Sequence, residues 1–238
     1  MPKQPKYQRI LLKLSGEALK ADAEGLYSYE TVDAICAAVK KCLDDGIEVA
    51  IVVGAGNIWR GGRADRQMDR CTADQMGMLG TAINTLCLKD AFARIGVEAR
   101  VMTAMDLGFA EHLDRDRAVR HLKKGRVVLF GGGTGAPFFS TDTAAVLRGK
   151  EIGADALLFA KNIDGIYTDE PRKNPDAKKL SKVSYTRILK DQLKAIDLTA
   201  AAFGNDYGLK ILVFGLDDPE NIYKIASGAA PGTVIEND

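Results

Sequence analysis

The sequence predicts an α/β fold, a three-layer αβα sandwich with a mostly parallel central sheet, and three observations support this prediction. A unit made of a helical stretch, a glycine and an apolar strand recurs five times along the 238 residues. The apolar runs are continuous and rich in β-branched residues, which is typical of strands covered on both faces. Helix and strand alternate along the chain, and this order favours parallel strands joined by helices.

The first predicted strand covers residues 9–14 (RILLKL), and the five repeated units follow it. A glycine just past a helix can adopt the left-handed conformation that ends the helix and that other residues resist. The glycines in this position are Gly46, Gly96, Gly125, Gly153 and Gly208. Each of them therefore marks the end of one helix and the approach to the next strand.

Apolar residues at helical spacing predict the longer helices. One helix is expected over about 29–45 and another over about 73–95, with Thr72 as its candidate N-cap. A third helix begins at Ser140 or Thr141, either of which can cap it, and ends before the fourth repeat glycine.

The remaining segments predict loops and a solvated helix. Asp164 and Gly165 lie between two apolar runs and are interpreted as a hairpin turn. Residues 168–179 contain two prolines and many charges, so we expect a surface loop. The charged stretch 111–126 is interpreted as a solvated helix. Because no interdomain linker is visible, residues 1–238 are expected to form a single domain with two lobes.

Composition excludes several classes of function. Lys and Arg number 33 and Asp and Glu 32, so the net charge of +1 gives no overall attraction to nucleic acid or to an anionic membrane. No apolar run is long enough to span a bilayer, and no signal-peptide pattern follows the basic N-terminus, so a cytoplasmic location is expected. The four cysteines have no C-x-x-C spacing, and only two histidines, His112 and His121, are present. A zinc site or a histidine triad is therefore not expected.

Two common nucleotide motifs are absent. The only Gly-Lys pair, at Gly149 and Lys150, is followed by glutamate, so there is no P-loop. Gly131, Gly133 and Ala136 fit a loose dinucleotide pattern, but Pro-Phe-Phe intervenes before the helix and no acidic residue follows the next strand. A Rossmann cofactor site is therefore disfavoured.

Three glycine-rich strand ends, at 14–16, 54–57 and 131–135, nevertheless favour phosphate binding over simple tight turns. Lys13 and Arg60 are cations beside two of them. Lys13 interrupts an apolar strand, so it either meets a phosphate in the interior or points outward from an edge strand.

Two carboxylates and two glycines in the predicted helices have alternative interpretations. Asp74 and Asp142 each fall in the first turn of a predicted helix, where a capping role is the alternative to a catalytic one. Gly77 and Gly80 lie in mid-helix, which indicates close packing against another backbone or another subunit.

These residues together resemble the amino acid kinase family, and within it the bacterial-type uridylate (UMP) kinases. The resemblance extends from RILLKLSGEAL at 9–19 to the final GTVI. Its most specific parts are GAGNIWRG, DQMGMLGT, NIDGIYTDEP, AIDLTA and above all GTGAPFFSTDTAAVLRG.

The resemblance implies transfer of the γ-phosphoryl group of ATP to UMP in pyrimidine biosynthesis, with Mg²⁺ carried by the ATP phosphates rather than by protein ligands. The implied catalytic residues are Lys13, Arg60 and Asp142. Residues of the ATP site are implied to be Lys13, Leu14, Ser15, Gly16, Gly56, Arg60, Lys161 or Asn162, Tyr167 and Glu170. Residues of the UMP site are implied to be Ala55, Asp74, Thr134, Gly135, Ala136, Pro137, Phe138, Phe139, Ser140 and Thr141. The N-terminal part would mainly bind UMP and the C-terminal part mainly ATP.

The same resemblance implies a homohexamer built as a trimer of dimers, with GTP and UTP as possible allosteric nucleotides. The chain departs from the family at Ala55 and Ala136, where glycine and asparagine are usual, and at 24–30 (EGLYSYE). Two alternatives stay open: another small-molecule kinase of this fold, and a catalytically silent nucleotide-binding protein.

Overall fold

The computed structural model describes residues 5–20, 24–59, 68–169, 171, 173–193, 196–229 and 232–238. The strands are β1 (Arg9–Leu14), β2 (Glu48–Val53), β3 (Ala99–Thr103), β4 (Glu111–His112), β5 (Val127–Gly131), β6 (Ala156–Lys161), β7 (Ile166–Tyr167), β8 (Lys179–Leu180), β9 (Lys182–Ser184), β10 (Ile211–Gly215) and β11 (Thr233–Glu236). The helices are α1 (Gly16–Lys20), α2 (Tyr29–Asp44), α3 (Arg70–Arg94), α4 (Arg115–Leu122), α5 (Thr141–Ile152), α6 (Tyr185–Asp191), α7 (Leu198–Tyr207) and α8 (Asn221–Ala226).

A nine-stranded sheet forms the middle layer, in the order β4-β3-β5-β2-β1-β6-β10-β11-β9. All its neighbouring strands pair in parallel except β10 and β11, which are antiparallel. The mostly parallel sheet predicted from the repeated unit is therefore confirmed. Because β1, β2, β5 and β6 are neighbours in parallel, their carboxyl ends meet at one edge of the sheet.

Helices cover both faces of this sheet, and β1 shows why its apolar run is continuous. Ile10 and Leu12 belong to one buried cluster, which α2, α3 and α8 cover. Leu11 points the other way, into a second cluster that contains residues of α4, α5, α6 and α7. Successive side chains of a strand face opposite sides, so a strand between two helical layers needs apolar residues at every position. The three-layer sandwich is confirmed.

Most of the helix ends and caps predicted from single residues are confirmed. All five repeat glycines have a positive φ, between 60° and 80°. Ser140 caps α5 by accepting from the backbone N–H groups of Asp142 and Thr143. The prediction that Thr72 caps the helix over 73–95 is wrong: α3 begins at Arg70, and its cap is Asp69, whose carboxylate accepts from the Thr72 N–H at 3.0 Å.

Two other segment predictions are corrected. Within 111–126, residues 111 and 112 form the edge strand β4, and only Arg115–Leu122 is helical. Asp164 and Gly165 do not join paired strands, because β7 pairs with β8 in a separate two-stranded sheet. Since β8 starts at Lys179, the loop predicted over 168–179 ends one residue earlier.

The mid-helix glycines of α3 pack within the chain. A methyl group on Gly80 would lie 2.9 Å from Cβ of Ala55, and one on Gly77 would lie 3.8 Å from Trp59 Cδ1. Within the chain, the close approach predicted there is between α3 and the segment that follows β2. None of the helices in the described ranges is long and apolar enough to cross a membrane.

Candidate active site

The glycine-rich strand ends come together at the carboxyl edge of the sheet. A methyl group on Gly16 would lie 2.6 Å from the Gly56 backbone nitrogen, so the start of α1 and the loop after β2 are in close backbone contact. A methyl group on Gly54 would lie 3.4 Å from Thr141 Oγ1, which brings the start of α5 to the same place. A side chain at Gly16 would clash with the loop after β2, so glycine is needed there for the backbones to come this close.

A buried carboxylate between two lysines lies beside these loops. Lys13 Nζ is 2.7 Å from Asp142 Oδ1, and Lys161 Nζ is 3.0 Å from Asp142 Oδ2. Lys13 lies on β1, between β2 and β6, so the alternative of an outward-facing edge lysine is wrong. Asp142 is 9% exposed and Lys13 6%. Two cations and one anion leave this cluster with an excess of positive charge.

The charges of this cluster shift one another's proton affinities. Burial alone raises the pKa of Asp142, but the attraction of Lys13 and Lys161 outweighs it and lowers this pKa from 3.8 to about 2. Burial lowers the pKa of Lys161, and the neighbouring charge of Lys13 adds to that effect, while Asp142 opposes it. Asp142 therefore stays ionised and holds two ammonium groups in a site where a negative ligand would be attracted.

A cavity of about 150 Å³ lies between α3 and the loop after β5. Seven of the residues predicted for the UMP site line it, namely Ala55, Asp74, Thr134, Ala136, Phe139, Ser140 and Thr141. Gly135, Pro137 and Phe138 do not line it, and the Phe138 side chain is 65% exposed.

Asp74 ties α3 to this loop. Its Oδ2 accepts from the Phe138 backbone N–H at 2.8 Å and from Arg70 Nε at 2.9 Å. Asp74 is the fifth residue of α3, beyond the first turn, so the alternative that it caps the helix is wrong. Its carboxylate is positioned at the cavity by contacts that a ligand hydroxyl could share or replace.

A larger cavity, of about 990 Å³, lies on the other side of the lysine cluster. Lys161 and Asn162 both line it, so the structure leaves open which of them would contact a nucleotide. Tyr167 lies in a neighbouring cavity of about 340 Å³, and its hydroxyl donates to Asp164 Oδ1 at 2.8 Å. The predicted site residues Arg60 and Glu170 lie outside the described residues.

Three polar residues at the site were not predicted from the sequence as parts of it. Asp197, the cap of α7, accepts hydrogen bonds from the hydroxyls of Ser140 and Thr143. Arg148 is 4% exposed and donates to the backbone oxygens of residues 133 and 134, at 3.4 and 3.3 Å. Asn84 is fully buried on α3 and bonds to the loop after β2. Arg148 and Asn84 are polar residues within helical runs of small or apolar residues. This pattern was the sequence signal by which their buried contacts could have been predicted.

The fold and the site define a class: an α/β sandwich that gathers glycine-rich strand ends around two lysines paired with one buried carboxylate is built to bind and transfer phosphoryl groups. Residues 8–215 match the amino acid kinase family. The chain belongs to the amino acid kinase family, as the sequence motifs predicted.

Named relatives cover nearly the whole chain. It is 46% identical to a uridylate kinase of Streptococcus thermophilus over 98% of this chain and 97% of the relative. A UMP kinase structure from Bacillus anthracis superposes with a TM-score of 0.94 at 39% identity, covering 98% of this chain and 97% of that one. A UMP kinase structure from Ureaplasma parvum gives a TM-score of 0.91 at 32% identity, with 97% and 99% covered.

Proposed function

We propose that this protein is a UMP kinase, which transfers the γ-phosphoryl group of ATP to UMP and releases UDP and ADP. The cluster of Lys13, Asp142 and Lys161 carries the proposal, because it adjoins both cavities. Lys161 lines the larger cavity, and Ser140 and Thr141, which directly precede Asp142, line the smaller one. The uridylate kinase and UMP kinase names of the relatives support the choice of substrate.

The chemistry follows from the charges of the cluster. Phosphoryl transfer needs positioning and positive charge around the moving group, and little covalent help. Lys13 and Lys161 would face the oxygens of the transferred group, while Asp142 fixes both ammonium groups in place. Backbone N–H groups at 15–16 and 55–57 would bind the other phosphates. The attacking group is a phosphate oxygen, which is already ionised at neutral pH, so no histidine base is needed.

Magnesium fits this site as a companion of the ATP phosphates. Within the described ranges, no group of three or more His, Cys, Asp or Glu side chains could hold a metal ion. Mg²⁺ usually binds through substrate phosphates and one or two carboxylates, so such a cage is not required. With the ATP phosphates, Mg²⁺ would supply positive charge that neutralises part of theirs.

The substrate assignments are part of the same proposal. The smaller cavity would take UMP, with Asp74 accepting from the ribose hydroxyls, and the larger cavity would take ATP. The single domain would thus have a UMP side and an ATP side. The enzyme would act in the cytoplasm, in pyrimidine nucleotide biosynthesis, as a homohexamer of three dimers, with GTP and UTP as candidate effectors.

A second kinase activity of the same fold, on an acyl group, has less support. A carboxylate substrate calls for a cation, and neither lysine nor arginine occurs among the described residues that line the smaller cavity. A silent binding protein would not need two lysines around one buried carboxylate.

The test is ADP production in a coupled assay with Mg·ATP and a panel of acceptors: UMP, CMP, AMP, GMP, aspartate and glutamate. UMP should be the best acceptor. Equal rates with CMP would show that the alanine at position 136 has broadened the base site. Faster turnover of an amino acid, or no turnover of any acceptor, would refute the proposed function.

A further inference from the structure

A fully buried asparagine connects α3 to the glycine loop that follows β2. The Asn84 side chain is 0% exposed. Its Nδ2 donates to the Gly54 backbone oxygen at 2.7 Å and to Asn57 Oδ1 at 2.8 Å. Its Oδ1 accepts from Asn57 Nδ2 at 3.1 Å and from the Tyr27 hydroxyl at 2.7 Å. Both protons and both lone pairs of the amide are therefore used.

Backbone bonds hold part of this loop, because the Gly54 N–H donates to the Leu14 oxygen and the Ala55 oxygen accepts from the N–H groups of residues 58 and 59. Asn84 adds side-chain bonds from α3. Residues 54–56 are Gly-Ala-Gly, and glycine-rich backbone has many accessible conformations. The backbone of this loop lies against the start of α1 at Gly16, where the phosphate-binding loops meet. Asn84 is anchored in a 25-residue helix, and it contacts the loop at both of its ends, Gly54 and Asn57.

Tyr27 extends the connection to the segment that precedes α2. Asn57 Nδ2 also donates to the Leu26 backbone oxygen, at 3.0 Å, so residues 26 and 27 both reach the network. Burial raises the pKa of the Tyr27 hydroxyl to about 12, with Cys87 and Tyr29 adding to the shift. The hydroxyl therefore remains a donor throughout the range of pH in which the enzyme would work.

We propose that Asn84 is a positioning residue, which holds the 54–57 loop in the geometry that phosphoryl transfer needs, and that Tyr27 supports this loop through Asn84 alone. The inference rests on the proposed kinase function, because the loop is the part of that site which Asn84 touches. It assigns no contact between Asn84 and a substrate.

The experiment is a double-mutant cycle on turnover with UMP and Mg·ATP at saturation. Asn84→Ala removes three hydrogen bonds to the loop, and we expect kcat to fall about tenfold or more. Tyr27→Phe removes one bond, and we expect a fall of about threefold. The double variant should turn over no more slowly than Asn84→Ala, because Tyr27 acts only through the amide.

Two matched controls separate positioning from folding. Thr85→Val changes an equally buried neighbour, whose hydroxyl bonds to the Ala82 oxygen within α3. Tyr223→Phe removes a tyrosine hydroxyl that bonds to Asp45 Oδ2 at 2.7 Å, outside the site. Both controls should keep kcat within about twofold, including where their melting temperatures fall as far as that of Asn84→Ala.

A folded Asn84→Ala variant with the kcat of the wild type would overturn the proposal. If that variant does not fold, Tyr27→Phe decides: an unchanged kcat overturns the role of Tyr27, and a loss supports it. Additive losses in the double variant would show that Tyr27 acts by another route.

If the wild type makes no UDP, the proposed function fails separately. Calorimetric binding of a Mg²⁺-loaded non-hydrolysable ATP analogue then tests the loop, and equal affinity in the wild type and Asn84→Ala would overturn the inference.

Discussion

Asp142 connects the stability of the fold to the proposed chemistry. A buried carboxylate is costly unless it is paired, and here two lysines pair with it. The carboxylate lies between the two ammonium groups and offsets their mutual repulsion. Removing the carboxylate would leave two cations close together in a buried place, so we expect Asp142→Asn to lose both stability and turnover.

The lowered pKa of Asp142 makes a prediction about acid. Because its pKa is about 2 in the folded protein and 3.8 ordinarily, ionised Asp142 stabilises the fold above about pH 4, and this contribution is lost as the pH falls towards 2. The shift corresponds to roughly 2 kcal/mol. We expect the stability gap between the wild type and Asp142→Asn to narrow by about that amount between about pH 6 and pH 2, measured by urea unfolding. A constant gap would show that the carboxylate does not titrate as a paired group.

At this scale the sequence singled out residues that the structure brings together, but it did not predict all of their contacts. Lys13 and Asp142 were singled out as a strand lysine and a helix-start carboxylate, but their contact needs β1 and α5 to be adjacent. Lys161 or Asn162 was predicted to flank the adenine nucleotide, and the contact of the Lys161 ammonium group with Asp142 was not predicted. Ion pairs between distant segments depend on topology, which residue type and spacing do not contain.

Two glycines of α3 make a matched test at the scale of one element. A methyl group on Gly80 would come within 2.9 Å of Cβ of Ala55, while one on Gly77 would make an ordinary 3.8 Å contact. We expect Gly77→Ala to be neutral or to stabilise the protein by up to about 1 kcal/mol, as helix propensity dictates. Gly80→Ala should push the 54–57 loop away and reduce turnover. Melting temperature and kcat measure both effects; equal behaviour of the two variants would contradict this packing.

Asp74 and Asp69 separate the roles of ligand binding and helix capping within α3. Asp74→Asn keeps an acceptor for the Phe138 N–H but loses the charge, so we expect a raised KM for UMP, a smaller preference for UMP over dUMP and an unchanged melting temperature. Removing a charge-assisted bond of this kind costs about 1.5–3 kcal/mol.

Asp69→Ala is the control, because it removes the cap of α3 and should lower the melting temperature without changing the KM for UMP. An Asp74→Asn variant that melts markedly lower while its KM for UMP is unaltered would remove Asp74 from the UMP site.

Element boundaries show where sequence signals compete. Thr72 and Asp69 are both good caps, and the sequence does not say which one precedes the first helical turn. The two-residue strands β4, β7 and β8 are too short to show any periodicity, and their pairing depends on distant partners. The five repeat glycines, by contrast, are local signals with one physical cause, and all of them end helices or approach a strand as predicted.

The fold class of the whole molecule follows from the repeated unit of helix, glycine and strand. Right-handed crossovers between parallel strands leave few topologies for a chain of this pattern, and the strand ends must then share one edge. The fold class and the convergence of the glycine loops were predictable for that reason. The antiparallel pairing of β11 with β10, and the order of strands beyond the centre, were not, since several orders bury the same apolar runs.

An exposed apolar stripe on α3 leads to a prediction about how the chains assemble. Met76, Leu79 and Ile83 form an exposed apolar stripe on α3, with exposed fractions of 37%, 48% and 48%. We expect light scattering to give six times the chain mass, and Leu79→Glu to yield a smaller species, while Tyr207→Glu on α7 should leave the assembly intact. A monomeric wild type at micromolar concentration would contradict the proposed hexamer.

We propose that the Lys13, Asp142 and Lys161 cluster carries out phosphoryl transfer, and Lys13→Met separates this role from the binding of ATP. The measurement is kcat for UDP formation beside the dissociation constant for Mg·ATP. A fixed ammonium group that meets charge developing in the transition state is typically worth about 3–4 kcal/mol, so kcat should fall by at least about a hundredfold. The affinity for ATP should change far less. A Lys13→Met variant with nearly normal kcat would place the reaction elsewhere in the molecule.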